Sequence, residues 1–236
     1  MRIKNEAAAV NAEYINVDYR PHDIAVDGKL DAEWAKIENP IKEGTAPNGT
    51  RIARCAGNPP DADNLSGQFK AYWTQHALNI LVTVKDDVLK DDGGGDWWND
   101  DAVEVYLDVD NSKNREFDGI DDNQIAFLPG RKDWRHHKGL GGSGQMLVDF
   151  IRTDDGYIVE AAIPWKHVSL DAADADKPVA GRRIGLNVVL LDDDNGGSRD
   201  RRLSWVKDYD AKGQGASHAN PQLWGTAELS GQIDEK

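Results

Sequence analysis

The chain is built on a two-residue rhythm. Short runs in which apolar and polar side chains alternate are cut by clusters of Gly, Asn and Asp. Successive side chains of a strand point to opposite faces, so strict alternation specifies a strand with one buried face and sets its register. Ala102 to Asp108 is the cleanest case, with Val103, Val105 and Leu107 facing inward and Glu104, Tyr106 and Asp108 facing out. Leu78, Ile80, Val82 and Val84 repeat the pattern. Met146 to Thr153 and Tyr157 to Ile163 flank Asp154-Asp155-Gly156, a hairpin turn. Further strands are predicted over 67–73, 123–128, 183–191, 203–205 and 225–229, with one from Ile24 into a turn at Asp27-Gly28 and a short helical turn at Trp34. Tyr14 to Tyr19 is predicted as an edge strand. The fold class that follows is all-β: a two-sheet antiparallel β-sandwich, immunoglobulin-like or jelly-roll-like. Long loops are expected over 41–66, 86–99, 109–122, 129–145 and 206–224. Loops longer than about 12–15 residues are usually functional or disordered.

Composition narrows the partners. The chain has 236 residues, 42 acidic against 28 basic, for a net charge of −14. Such a field repels nucleic acid. The acids gather at Asp86-Asp87, Asp91-Asp92, Asp100-Asp101, Asp108 to Asp122 and Asp192 to Asp194, and calcium takes several carboxylate and carbonyl oxygens in flexible loops. Cys55 is the single cysteine, so no intramolecular disulfide and no cysteine-rich zinc site is expected. No apolar run is long enough to span a bilayer. Eight tryptophans are present, and indole serves both as core filler and as a flat platform for ring ligands.

Several segments, in order, resemble carbohydrate-binding module family 9. They are Val26-Asp-Gly-Lys-Leu-Asp-Ala-Glu-Trp34, Leu81 to Leu89, Trp98-Asn-Asp-Asp-Ala-Val-Glu-Val-Tyr-Leu-Asp108, Tyr157 to Trp165, Ile184-Gly-Leu-Asn187, Leu203-Ser-Trp205 and Asn220-Pro-Gln-Leu-Trp-Gly225. The resemblance implies packed antiparallel sheets, bound structural calcium, and a slot for the terminal sugars of polysaccharides such as xylan or cellulose. It also implies attachment to a catalytic domain, commonly a xylanase, in a secreted or periplasmic protein whose signal peptide is absent from this sequence. The domain reading is an N-terminal extension or edge strand over 1–22 and a carbohydrate-binding-module-like β-sandwich over 23–232.

Carried over residue by residue, Trp98 matches the family's first aromatic wall and Glu104 its hydrogen-bonding carboxylate. Trp97, Gln124, His218 and Trp134 complete the candidate sugar-binding set. The second aromatic wall falls near His218. Ala126 stands where an arginine is expected and Val189 where a glutamine is expected, which makes the ligand face more apolar. Exposed apolar area is unfavourable, so the loop carrying Trp134 is expected to fold over that face as a platform or a plug. Asp86, Asp101 and Asp122 are expected to share a calcium ion. Trp34, Trp73, Trp165, Trp205 and Trp224 are expected in the core.

Catalysis is not expected. A glycosidase sets two carboxyl groups across a cleft, whereas Asp100, Asp101 and Glu104 leave one strand and its entry. Adjacent histidines on an extended loop seldom converge, so His136-His137 is a poor metal site. Two other readings stay open: a haem-binding electron-transfer domain of the same superfamily, for which Met146 is the one candidate methionine ligand besides Met1, and an interaction module with a blocked sugar slot.

Overall fold

The computed structural model of the chain describes residues 13–29, 32–38, 50–55, 58–138, 145–168, 178–209 and 217–231. Among them lie twelve strands and two single-turn helices. The strands are β1 (Tyr14–Tyr19), β2 (Thr50–Ile52), β3 (Leu65–Trp73), β4 (Ala77–Asp86), β5 (Ala102–Asp108), β6 (Asp122–Leu128), β7 (Asp133–Lys138), β8 (Leu147–Thr153), β9 (Gly156–Pro164), β10 (Arg183–Asp192), β11 (Arg201–Ser204) and β12 (Gly225–Ser230). The helices are α1 (Ala32–Ala35) and α2 (Trp165–Val168). No described helix is long and apolar enough to cross a membrane.

The chain is all-β, and its hydrogen bonding runs as one path: β7-β6-β5-β10-β12-β1-β3-β4-β9-β8, with β11 on β10 and β2 on β3. β1 makes that path continuous. It was expected at an edge, but it pairs in parallel with β12 on one side and with β3 on the other. Its two buried side chains, Ile15 and Val17, hold that interior place. Two further expectations are corrected. No strand forms at Ile24; residues 23–29 are irregular. Residues 133–138, expected as loop, form β7.

Both halves of the path feed one apolar core, which includes Val103, Val105 and Leu107 of β5 and Ile80, Val82 and Val84 of β4. Phe69 of β3 meets Trp205 edge-on at 5.5 Å across it. The β8–β9 hairpin turns at Gly156, where φ is 153° and a Cβ would lie 2.0 Å from the Val84 carbonyl oxygen, so no side chain fits. Trp34, Trp73, Trp165, Trp205 and Trp224 are all buried.

The other face of β5 was expected to meet solvent, yet all seven of its residues are buried. A second apolar cluster covers it: Trp97, Ala102, Tyr106, Ala126, Leu128, Val189, Leu191 and Trp224. Burying a large side chain completely is worth about 1.5–3 kcal/mol, and Trp97 and Trp224 are the largest members of this cluster. This second layer positions the site.

Candidate functional site

A cavity of about 280 Å3 opens on this second layer. Its floor comes from β5 and β6. Alternation places Glu104 and Tyr106 on the same face of β5, and the register sets Gln124 opposite Tyr106 and Ala126 opposite Glu104. The Tyr106 hydroxyl donates to Glu104 Oε2 at 2.8 Å, and Gln124 Nε2 donates to Glu104 Oε1 at 2.8 Å. Burial, reinforced by the Glu104 charge, pushes the Tyr106 pKa well above its usual value, so the phenol stays a donor. Both carboxylate oxygens of Glu104 are therefore engaged from below.

One wall is aromatic. Trp97 and Trp98 sit on a short 3-10 turn with ring centroids 5.7 Å apart, and the His137 ring lies 5.3 Å from Trp97 and 6.0 Å from Trp98. Trp97 is buried, whereas Trp98 is 37% exposed and offers its ring to the cavity. Asp100 pins the turn. Its Oδ1 accepts from the backbone of Asp92 and Gly93, and its Oδ2 accepts from Arg131 at 2.6 Å.

The opposite wall carries cations. Arg202 of β11 lines the cavity and is gripped by Asp208 through two bonds of 2.7 and 2.5 Å. Burial works against the guanidinium charge, but the Asp208 carboxylate outweighs it and raises the Arg202 pKa. Asp208 is held in turn by Asn187 and Ser217, all three buried. Arg199 stands at the mouth, its Nη1 on the Trp98 carbonyl at 2.9 Å, and His218 completes the lining.

The structure thus brings Trp97, Trp98, Glu104, Gln124 and His218 to one cavity. Trp134 is not there. Its partner across β6–β7 is Phe127, a core residue, so its side chain falls on the core face, meeting His167 edge-on at 5.6 Å. The apolar face of Ala126 and Val189 is covered instead by Trp97. Among the described side chains of that segment, His137 is the one that reaches the slot. A β-bulge between Gln124 and Ile125 shifts the register so that Lys138 and His136 take the paired positions and His137 is the extra residue. Tyr106, His137, Arg199 and Arg202 were missed from sequence. Tyr106 had a signal, two residues beyond Glu104 on one face. Arg202 had none, because its place depends on the Leu191–Arg202 pairing of β10 with β11.

A second constellation lies at the root of the slot's loops. Carboxylate oxygens of Asp86, Asp101 and Asp192 lie within 4.8 Å of one another, all three residues buried. Asp86 Oδ2, both oxygens of Asp192, Asp193 Oδ2 and Asp194 Oδ1 are buried without a hydrogen-bond partner. Native proteins seldom leave buried polar atoms unpaired, and a bound ion is one reason when they do. Burial, the largest cause, raises Asp86 to about 6, Asp192 to about 7 and, with the neighbouring Asp86 charge, Asp101 to about 9. Oxygen-only donors of this kind suit a hard cation.

Asp122 does not join them. It faces Asp108 across β5–β6, at the far end of β5 from Asp101. Seven residues of strand at about 3.3 Å each separate the two ends. Asp108, Asp110 and Asp121 form their own group there, with Asp122 Oδ1 unpaired and its pKa raised by burial to about 7. Met146 packs in the apolar core rather than in the slot, and Met1 lies outside the described residues.

Known proteins resemble this chain in sequence and in fold. An endo-1,4-beta-xylanase A of Thermotoga maritima is 28% identical over 183 residues, covering 76% of this chain but 15% of that protein. The chain therefore spans about 15% of the length of that relative. Among solved structures, a carbohydrate binding module family 9 from Caldicellulosiruptor kristjanssonii in complex with cellotriose superposes with a TM-score of 0.70, at 22% identity over 94% of this chain and 95% of that one. The same module in complex with glucose gives 0.69, with 94% and 98% covered. The family model described as carbohydrate family 9 binding domain-like matches residues 26–232. The chain belongs to that family of carbohydrate-binding domains.

Proposed function

We propose that the chain is a non-catalytic module that holds the end of a glycan chain in the slot beneath Trp98 and so targets an attached glycan-degrading enzyme. The observation that carries this reading is the preorganised Glu104. Its orientation is fixed by Tyr106 and Gln124, and an exposed indole stands over the same cavity. A sugar ring stacks on such a face while its hydroxyls bond a fixed carboxylate, and charge-assisted bonds of that kind are among the stronger ones. A cavity of about 280 Å3 falls just below the usual range for ligand pockets, roughly 300–1,000 Å3, which suits a chain terminus better than a long stretch of polymer. Xylan and cellulose are the first candidates, from the xylanase relative and the cellotriose- and glucose-bound neighbours. Export from the cytoplasm follows from the same context.

No hydrolytic pair is assigned. Asp100 has both oxygens committed to the loop and to Arg131, which leaves Glu104 as the slot's carboxylate.

Calcium belongs in the same reading, held by Asp86, Asp101 and Asp192, with Asp194 and Asp193 adjacent. The ion would supply the positive charge that these oxygens lack. Asp101 precedes the strand of Glu104 and binds the backbone N–H of Asp193, so it ties the tryptophan turn to the loop of Arg199. Calorimetric titration against a panel of xylan, cellulose and their oligosaccharides tests the function. Saturable binding to at least one glycan supports it, and none across the panel with folded, calcium-loaded protein refutes it.

A further inference from the structure

The slot is short of negative charge in a chain of net charge −14. Among the described residues, Glu104 is its one acidic lining residue, against the guanidinium groups of Arg199 and Arg202. Both oxygens of Glu104 already accept hydrogen bonds from within the protein. Arg202 is neutralised from behind by Asp208. Arg199 is not: its bond is to the Trp98 carbonyl, and among the described residues it has no carboxylate partner. An arginine guanidinium offers five N–H donors and matches a carboxylate two bonds at a time. One further group waits at the floor. Gln124 Oε1 is buried and unpaired, an acceptor for a donor such as a sugar hydroxyl.

A neutral sugar answers the floor and leaves Arg199 unanswered. A sugar that carries both hydroxyls and a carboxylate answers both. We propose that the slot prefers a uronic acid at the glycan terminus, its hydroxyls on Gln124 and Glu104, its ring on Trp98 and its carboxylate on Arg199. This inference rests on the slot being the sugar site.

The test is calorimetric titration of calcium-loaded protein with glucuronic acid, its uncharged methyl ester and glucose. The acid is expected to bind about tenfold more tightly than the ester, since a bond to a charged group is typically worth that much or more. The advantage is expected to shrink in high salt. In Arg199→Gln the ratio of the two affinities is expected to fall to near one, and in Arg199→Lys to recover in part. Equal binding of acid and ester by the unmodified protein overturns the proposal while leaving the slot a sugar site. So does an Arg199→Gln variant that keeps the ratio. No binding of any of the three, nor of any glycan in the panel, overturns the sugar reading and this one with it.

Discussion

Two buried carboxylates, Asp101 just before β5 and Glu104 within it, lie three residues apart, and their surroundings are opposite. Glu104, in the slot, is bonded through both oxygens by neutral donors and faces Arg202. Asp101, with Asp86 and Asp192, faces other carboxylates across several unpaired oxygens, and burial lifts their pKa values to about 9, 6 and 7. The first arrangement is complete as it stands and presents a fixed acceptor to a ligand. The second leaves buried oxygens without partners, the feature on which the proposed calcium site rests. Glu160 gives the contrast a reference point. It too is buried, and it is fully used by the fold, taking the Trp34 indole N–H at 2.6 Å and the backbone N–H groups of Asp27 and Gly28 at 2.7 Å each. Acidic residues are thus spent in three ways here, and partner count separates them where sequence does not.

Three changes break or sharpen that comparison. The largest effect is expected from Asp208→Ala, which leaves the Arg202 guanidinium without its counter-charge. Losing one member of a buried pair costs about 3–5 kcal/mol, and denaturant unfolding is expected to show it. If Asp208→Asn restores most of the stability, shape rather than charge holds Arg202, and the electrostatic account of that wall is wrong.

Calcium removal comes next. A ligand present at 100–1,000 times its dissociation constant stabilises by about 2.7–4.1 kcal/mol. For a domain of this size that is roughly 5–15 °C in melting temperature. Without cation, the clustered aspartates hold protons more tightly folded than unfolded, because their pKa values rise from 3.8. The chelated protein is therefore expected to lose stability as pH climbs from about 4 through about 9, the value to which Asp101 is raised. Calcium requires the ionised forms, so its stabilising effect is expected to grow over the same window. Melting curves that coincide with and without chelator at pH 7 would refute the site.

The smallest effect is expected from Trp134→Ala. The ring packs on the core rather than in the slot. A partly buried tryptophan costs less than the 3–5 kcal/mol of a fully buried one, about 2 kcal/mol, and glycan affinity is expected to stay as it was. Lost affinity with unchanged stability would put Trp134 back in the site.

How much of this was legible follows from the reach of each signal. Alternation read β5 to the residue, because one of its faces is wholly apolar. It failed over β7, where a basic run hides the same alternation: Trp134 and His136 lean toward His167, while His137 is turned into the slot by a bulge. Ala126 and Val189 correctly signalled an apolar floor that had to be covered. Trp97, itself in the candidate sugar-binding set, packs in the cluster over that floor, and Trp134 does not. Asp86 and Asp101 were placed together rightly, since each ends or precedes a strand at one end of the fold. Asp122 was misplaced because strand direction, which sends it to the opposite end, is a tertiary fact. Arg202 needed a long-range pairing that no local pattern encodes.

The central claim is that Glu104 and Trp98 form a glycan site, and titrating calcium-loaded wild type, Trp98→Ala and Glu104→Gln with one responsive oligosaccharide tests it most directly. The account predicts that Trp98→Ala abolishes measurable binding, that Glu104→Gln weakens it by about 1–3 kcal/mol, and that both variants melt close to wild type. Affinities for both variants equal to that of wild type would show that the glycan binds elsewhere and that this slot is not the site.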